Sequence, residues 1–175
     1  AITVTAGGSY YVTVTNASGC SATSAATAVT VNALPTVAAI TGVTNVCSGS
    51  TTQLASATTG GTWTSSNTAV ATVSSTGVVT GVTAGTATIT YVVTNVNGCS
   101  NSVTATVNLN AGTTATITAG GATTFCSGGS VTLTANSGSS YLWSNGAQTQ
   151  AITVTAGGSY YVTVTNASGC SATSA

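Results

Sequence analysis

The chain is 175 residues long and contains no Asp, Glu, Lys, Arg or His, while 42% of it is hydrophobic and 21 residues are glycine. An ordinary soluble domain is about one quarter charged, so whole classes of chemistry fall away: without Lys or Arg nothing neutralises the phosphates of nucleic acid, and without carboxylates calcium loses its main ligands. No general base, acid or metal site is available to activate a hydroxyl, so neither an enzyme nor a cofactor is expected.

The positive mean hydropathy, with abundant Val, Ile, Ala and Thr, is the reverse of a disordered composition and reads as β-structure punctuated by turns. Apolar residues alternate with Thr and Ser, and no run approaches the eighteen or so residues of a membrane helix, so membrane insertion is not expected. No basic segment leads into an apolar core, and no signal peptide is expected in this stretch. Only tyrosines, cysteines and the chain ends can titrate. Stability should therefore barely change between about pH 3 and pH 9. A melting temperature that moves substantially between about pH 4 and pH 7 would contradict this. Trypsin, likewise, has no Lys or Arg to recognise.

In chain order, residues 1–25 come first, and they recur unchanged as residues 151–175. The offset of 150 residues suits two small β-sandwiches. Inside it a weaker likeness appears: "VCSGSTTQL" at 46–54 resembles "FCSGGSVTL" at 125–133, and "YVVTNVNGCS" at 91–100 resembles "YVTVTNASGCS" at 161–171. Each unit opens on an apolar-Cys-Ser-Gly corner and closes on an alternating strand, an Asn/Gly turn and a second cysteine. The predicted units are 1–35, the C-terminal part of a preceding domain; 36–110, one complete domain; and 111–175, a domain lacking its last strand. On this parsing the chain is a window of one repeat plus an overlap, cut from a longer periodic polymer.

Alternation and turn residues predict strands near 37–44, 51–57, 61–65, 69–73, 77–81, 85–94 and 101–109 in the complete unit. In the last unit they fall near 113–118, 130–135, 140–144, 149–155 and 158–165. The missing final strand has its counterpart at 24–33, "SAATAVTVNA", and Pro35 follows it at a boundary where a missing N–H does no harm. Asn97-Gly98 and Asn145-Gly146 are dipeptides favoured in two-residue hairpins. No helix longer than a turn is expected. The fold class is all-β: tandem β-sandwiches in a 150-residue repeat. Trp63 and Trp143 each lie on the third expected strand and are assigned to the core.

At residues 62–93, "TWTSSNTAVATVSSTGVVTGVTAGTATITYVV", the chain resembles bacterial immunoglobulin-like domains of the invasin/intimin type (group 2). Trp63, Asn67, Val70, Val73, Gly77, Val79, Gly81, Gly85, Ala87 and Ile89 fall on that family's pattern. Residues 111–175 and 1–34 resemble the Ig/PKD-like repeats of giant Bacteroidota surface proteins, through Cys126 to Ala135, Tyr141 to Gly146 and Ile152 to Cys170. That resemblance implies immunoglobulin-like sandwiches, export by type IX secretion, and a role in adhesins, gliding-associated fibres or filament shafts. Relatives of that kind carry Asp, Glu and Lys, which this chain lacks.

Five widely spaced cysteines, Cys20, Cys47, Cys99, Cys126 and Cys170, form no Cys-x-x-Cys pair and there is no histidine to help them, so no metal site is expected. They read as disulfides of an oxidising, extracellular compartment. The expected pairs are Cys47–Cys99 and Cys126–Cys170, each joining the corner before the second strand to the turn before the last, positions that meet at one end of an Ig sandwich. Cys20 is left for a preceding repeat. A thioester of a cysteine with Gln53 or Gln148 is the weaker alternative, and isopeptide links are excluded for want of lysine. Asn16 and Asn166 open N-x-S sequons but suit a turn. Thr runs such as Thr86/Thr88/Thr90 suit the outer face of a strand, with an ice-binding array as the rival. The expected function is the shaft of an extracellular, cell-surface filament with neighbouring repeats as partners. The alternative is an adhesin or an ice- or glycan-binding module.

Overall fold

The computed structural model describes residues 1–175 as seventeen strands with no helix. The first four are short: β1 (Gly8–Tyr10), β2 (Thr13–Thr15), β3 (Ser21–Thr23) and β4 (Thr27–Val29). They form two separate antiparallel pairs, β1 with β4 and β2 with β3. Tyr10 and Val29 are partly covered, but most of the segment's apolar side chains are not: Ile2, Tyr11, Val12 and Val14 are all exposed.

The middle of the chain is a sandwich. Its strands are β5 (Asn45–Cys47), β6 (Thr51–Gln53), β7 (Thr62–Ser65), β8 (Ala71–Val73), β9 (Val78–Gly81), β10 (Gly85–Thr94) and β11 (Ser100–Asn110). One sheet has the order β5-β11-β10-β7 and the other β6-β9-β8. All pairings are antiparallel except β5 with β11. Alternation in β10 sends Ala87, Ile89, Tyr91 and Val93 inward and Thr86, Thr88, Thr90 and Val92 outward, as the period of two requires. Ile89, Val107 and Leu109 meet Leu54, Ala71 and Val79 from the facing sheet in one cluster.

The expected strand at 37–44 is not there. Residues 37–44 hold only an isolated bridge, Thr41 to Ala55, and the strand falls on Asn45–Cys47. Gly42, at φ +129°, breaks the extension, and only glycine accepts that geometry cheaply. The chain therefore runs first beside the end of β6 and then crosses to lie parallel to β11.

The last third contains β12 (Ile117–Ala119), β13 (Val131–Ala135), β14 (Ser140–Trp143), β15 (Ala151–Val154), β16 (Val162–Thr165) and β17 (Ser171–Thr173). Its sheets are β12-β13-β15 and β14-β16-β17, enclosing Val131, Leu133, Trp143, Ile152, Val162 and Val164. The strand expected from 158 begins only at Val162, because residues 158–161 have no strand beside them. Conversely, β17 supplies the opening residues of a final strand. Neither Asn-Gly dipeptide forms a two-residue hairpin. That turn needs two central residues at positive φ, and every positive-φ residue here is a glycine. Gly98 and Gly146 each close a longer turn instead, donating to Asn95 O and Trp143 O.

Candidate functional site

Two local motifs recur around the cysteines. The corner Cys47-Ser48-Gly49-Ser50 closes through Ser50 N–H to Cys47 O at 3.0 Å, with Gly49 at φ +85°. Cys126-Ser127-Gly128-Gly129 closes the same way, Gly129 N–H to Cys126 O at 2.9 Å, with Gly128 at φ +87°. The second motif is the turn ending in cysteine. In Asn166–Cys170 the Asn166 Oδ1 accepts from Ser168 N–H and Cys170 N–H, both at 3.0 Å. Asn95–Cys99 and Asn16–Cys20 repeat the pattern through Asn95 Oδ1 and Asn16 Oδ1.

The corner and the turn meet across a boundary between units. Cys47 is bonded to Cys170, with Cα atoms 5.8 Å apart, and Cys20, Cys99 and Cys126 are free thiols. Both expected pairs, Cys47–Cys99 and Cys126–Cys170, are thereby corrected. The reason is the parallel register of β5, which sets Cys47 opposite Asn110 at the far end of β11. Cys99 precedes Ser100 at the near end of that strand. Eleven residues of strand at about 3.3 Å each hold the two roughly 35 Å apart, far beyond the 7 Å or so that a disulfide spans. In the last unit Cys126 borders a cleft with Thr155 and Gly157, whereas Cys170 follows the opposite end of β16.

Three polar contacts lie beside the same boundary, and the one between Gly112 and Ser48 crosses it. Ser48 Oγ donates to Asn110 O and accepts from Gly112 N–H, and Asn166 Nδ2 donates to Ala111 O at 2.9 Å. The boundary before the middle unit is built alike. Asn95 Nδ2 donates to Ala33 O at 2.8 Å, and Cys99 Sγ lies 3.8 Å from Asn32 O. Asn32-Ala33 matches Asn110-Ala111 in sequence. The two asparagines that clasp these boundary segments, Asn95 at Ala33 and Asn166 at Ala111, escaped sequence reading, because their turn role alone accounts for their presence. The shared Asn-Ala at both unit ends is the signal that points to them.

A cleft of about 350 Å³ opens in the last unit, lined mainly by Ile117, Phe125, Leu133, Val154, Tyr160 and Ala175. It runs along residues 158–160. Their identical counterparts, Gly8–Tyr10, are paired in the first segment with Thr27–Val29.

The remaining residues singled out by sequence occupy structural positions. Trp143 is 2% exposed, and its Nε1–H donates to Thr149 O at 2.8 Å. Trp63 is half-buried against the middle cluster, its ring 4.4 Å from that of Tyr91. Gln53 Nε2 donates to Leu54 O and Thr76 O, and Gln148 is exposed. Thr64, Thr90 and Thr104 stand in one row across β7, β10 and β11.

Residues 25–107, just under half of the chain, match the family model described as bacterial Ig-like domain (group 2). No curated protein matches the chain.

Proposed function

We propose that this chain is a stretch of the shaft of an extracellular bacterial fibre, in which immunoglobulin-like sandwiches recur with a 150-residue period and complete one another head to tail. The observation that carries the reading is the fate of one sequence in two places. Val12 and Val14 are 58% and 64% exposed, whereas Val162 and Val164, in the identical segment, are fully buried. A face that the fold buries wherever its sandwich is present belongs under a preceding copy of residues 111–150. The match to bacterial Ig-like domains supports a surface structural or adhesin-like module, and the disulfide supports an oxidising compartment.

In this reading the function is mechanical and self-directed. Uncharged Thr, Ser and Ala surfaces pack against neighbouring copies without repulsion, and no catalysis or cofactor is assigned. The cleft along residues 158–160 receives the next copy of Thr27–Val29, using the register that β1 and β4 display. Residues 26–33 follow directly on the repeated segment, so covalent continuation supplies this strand most simply; donation from another chain is the other route. In the fibre, residues 1–25 then superpose on 151–175 of the previous copy.

The test is to append residues 26–35 after Ala175. The extended chain is expected to melt several degrees higher and to slow amide exchange at Tyr160, because burying an apolar strand edge removes both exposed surface and unpaired backbone groups. An unchanged melting temperature with fast exchange at residues 158–160 would reject the shaft. The Thr64–Thr90–Thr104 row favours an ice-binding or adhesive face as the second reading, and thermal hysteresis of the extended chain would select it.

A further inference from the structure

We propose that Cys126 of each repeat is bonded to Cys99 of the next, so that every unit is stapled to its successor and the fibre carries a continuous, overlapping ladder of disulfides. The inference rests on the shaft reading and deepens it. Its ground is that the structure contains both halves of this bond separately and one complete example of it.

The complete example is Cys47–Cys170, a corner cysteine joined to the turn cysteine of the following unit. Cys126 sits in the same corner as Cys47, with the same hydrogen bond and the same left-handed glycine. Cys99 sits in the same turn as Cys170, with the same asparagine clasp on the Asn-Ala pair at a unit boundary. The Cys99 thiol already lies against Asn32 O. Asn32 matches Asn110, the residue that stands opposite Cys47 in the formed bond. A corner cysteine lying opposite Asn32, as Cys47 lies opposite Asn110, therefore arrives at Cys99.

The spacing agrees. The formed bond joins residues 123 apart. One period of 150 beyond Cys99 is position 249, which is again 123 beyond Cys126. By the same shift, Cys20 takes Cys47 of the preceding repeat. Each closure converts two thiols to one disulfide with loss of two protons and two electrons. The electron acceptor is a disulfide, small or borne by a thiol–disulfide oxidoreductase, which leaves as two thiols.

The mechanical consequence is specific. With only the Cys47–Cys170 type of bond, the backbone between Cys170 and the next Cys47 is spanned by no crosslink. The Cys126–Cys99 bond covers that gap, so a single backbone cut anywhere inside the shaft leaves it connected.

A chain of two consecutive repeats, residues 1–175 followed by 26–175, tests this after oxidation with glutathione disulfide and blocking of free thiols. The expected product has two fewer free thiols than Cys47–Cys170 pairing alone leaves, and chymotryptic peptides of Cys126 and the second Cys99 are recovered joined. Thr36→Lys in the second repeat places one trypsin site in the gap, at an exposed position of an otherwise uncleavable chain. After cleavage of the denatured chain, the halves should separate only under reductant. Halves that separate without reductant, or a Cys126–Cys170 or Cys47–Cys99 peptide, overturn the ladder. Cys99→Ser in the second repeat should free Cys126 and release the halves; halves still joined would overturn it too. The shaft reading stands or falls independently, on the protection of residues 158–160.

Discussion

Replacing both Cys47 and Cys170 by serine is expected to lower the melting temperature by roughly 10 °C and to split one unfolding transition into two. Only 22 of the 175 residues are buried, in two clusters of eight plus a few others, so each unit has a small core to stand on. The disulfide closes a loop of 123 residues, and a loop of that size contributes about 4–5 kcal/mol in the chain-entropy treatment. For a chain this long each kcal/mol moves the midpoint by about 2–4 °C. The remaining hydrogen bond across that boundary, from Gly112 N–H to Ser48 Oγ, is worth about 1 kcal/mol, too little to couple the two cores. Calorimetry with and without reductant checks this. A single transition that ignores reductant would show that the bridge does not couple the units.

Trp143→Ala should destabilise the last unit by about 3–5 kcal/mol, the usual range for emptying a buried tryptophan site. The indole lies among Leu133, Val162 and Val164, and its loss also leaves Thr149 O without the donor it now has. Trp63→Ala should cost clearly less. Its ring is half-exposed, and the neighbouring Tyr91 keeps its own anchors, Thr58 O and Gly61 N–H. Urea unfolding of the two variants, each followed by the remaining tryptophan's fluorescence and by circular dichroism, gives the comparison. Equal losses would mean that the two indoles play the same part in their units, against the difference in burial.

Strand positions were largely legible in the sequence because Val/Thr alternation and glycine turns are local signals. The middle strands from 51 to 110 lie within a few residues of expectation, since each is flanked by its own turn. The stretch 37–44 was not legible. Its apolar content suits a strand, but Gly42 and the crossing to β11 are decided by which sheet edge is free. The disulfide was not legible for the same kind of reason. Cysteines in one unit look like partners in sequence, and only the parallel register of β5 on β11 puts Cys47 at the end of the unit that faces Cys170.

The duplicated segment separates the two influences within one molecule. In both copies the hairpin has the same register, Thr13 opposite Thr23 and Thr163 opposite Thr173, with the same asparagine-centred turn. Sequence alone determined that much, because every contact involved lies within the segment. Residues 151–154 form β15, while residues 1–4, identical to them, form no strand. Cys170 is buried and bonded, while Cys20 is exposed and free. These differences belong to tertiary structure: a strand needs a neighbouring strand for its backbone groups, a valine needs a facing sheet to leave water, and a cysteine needs a second sulfur brought within reach.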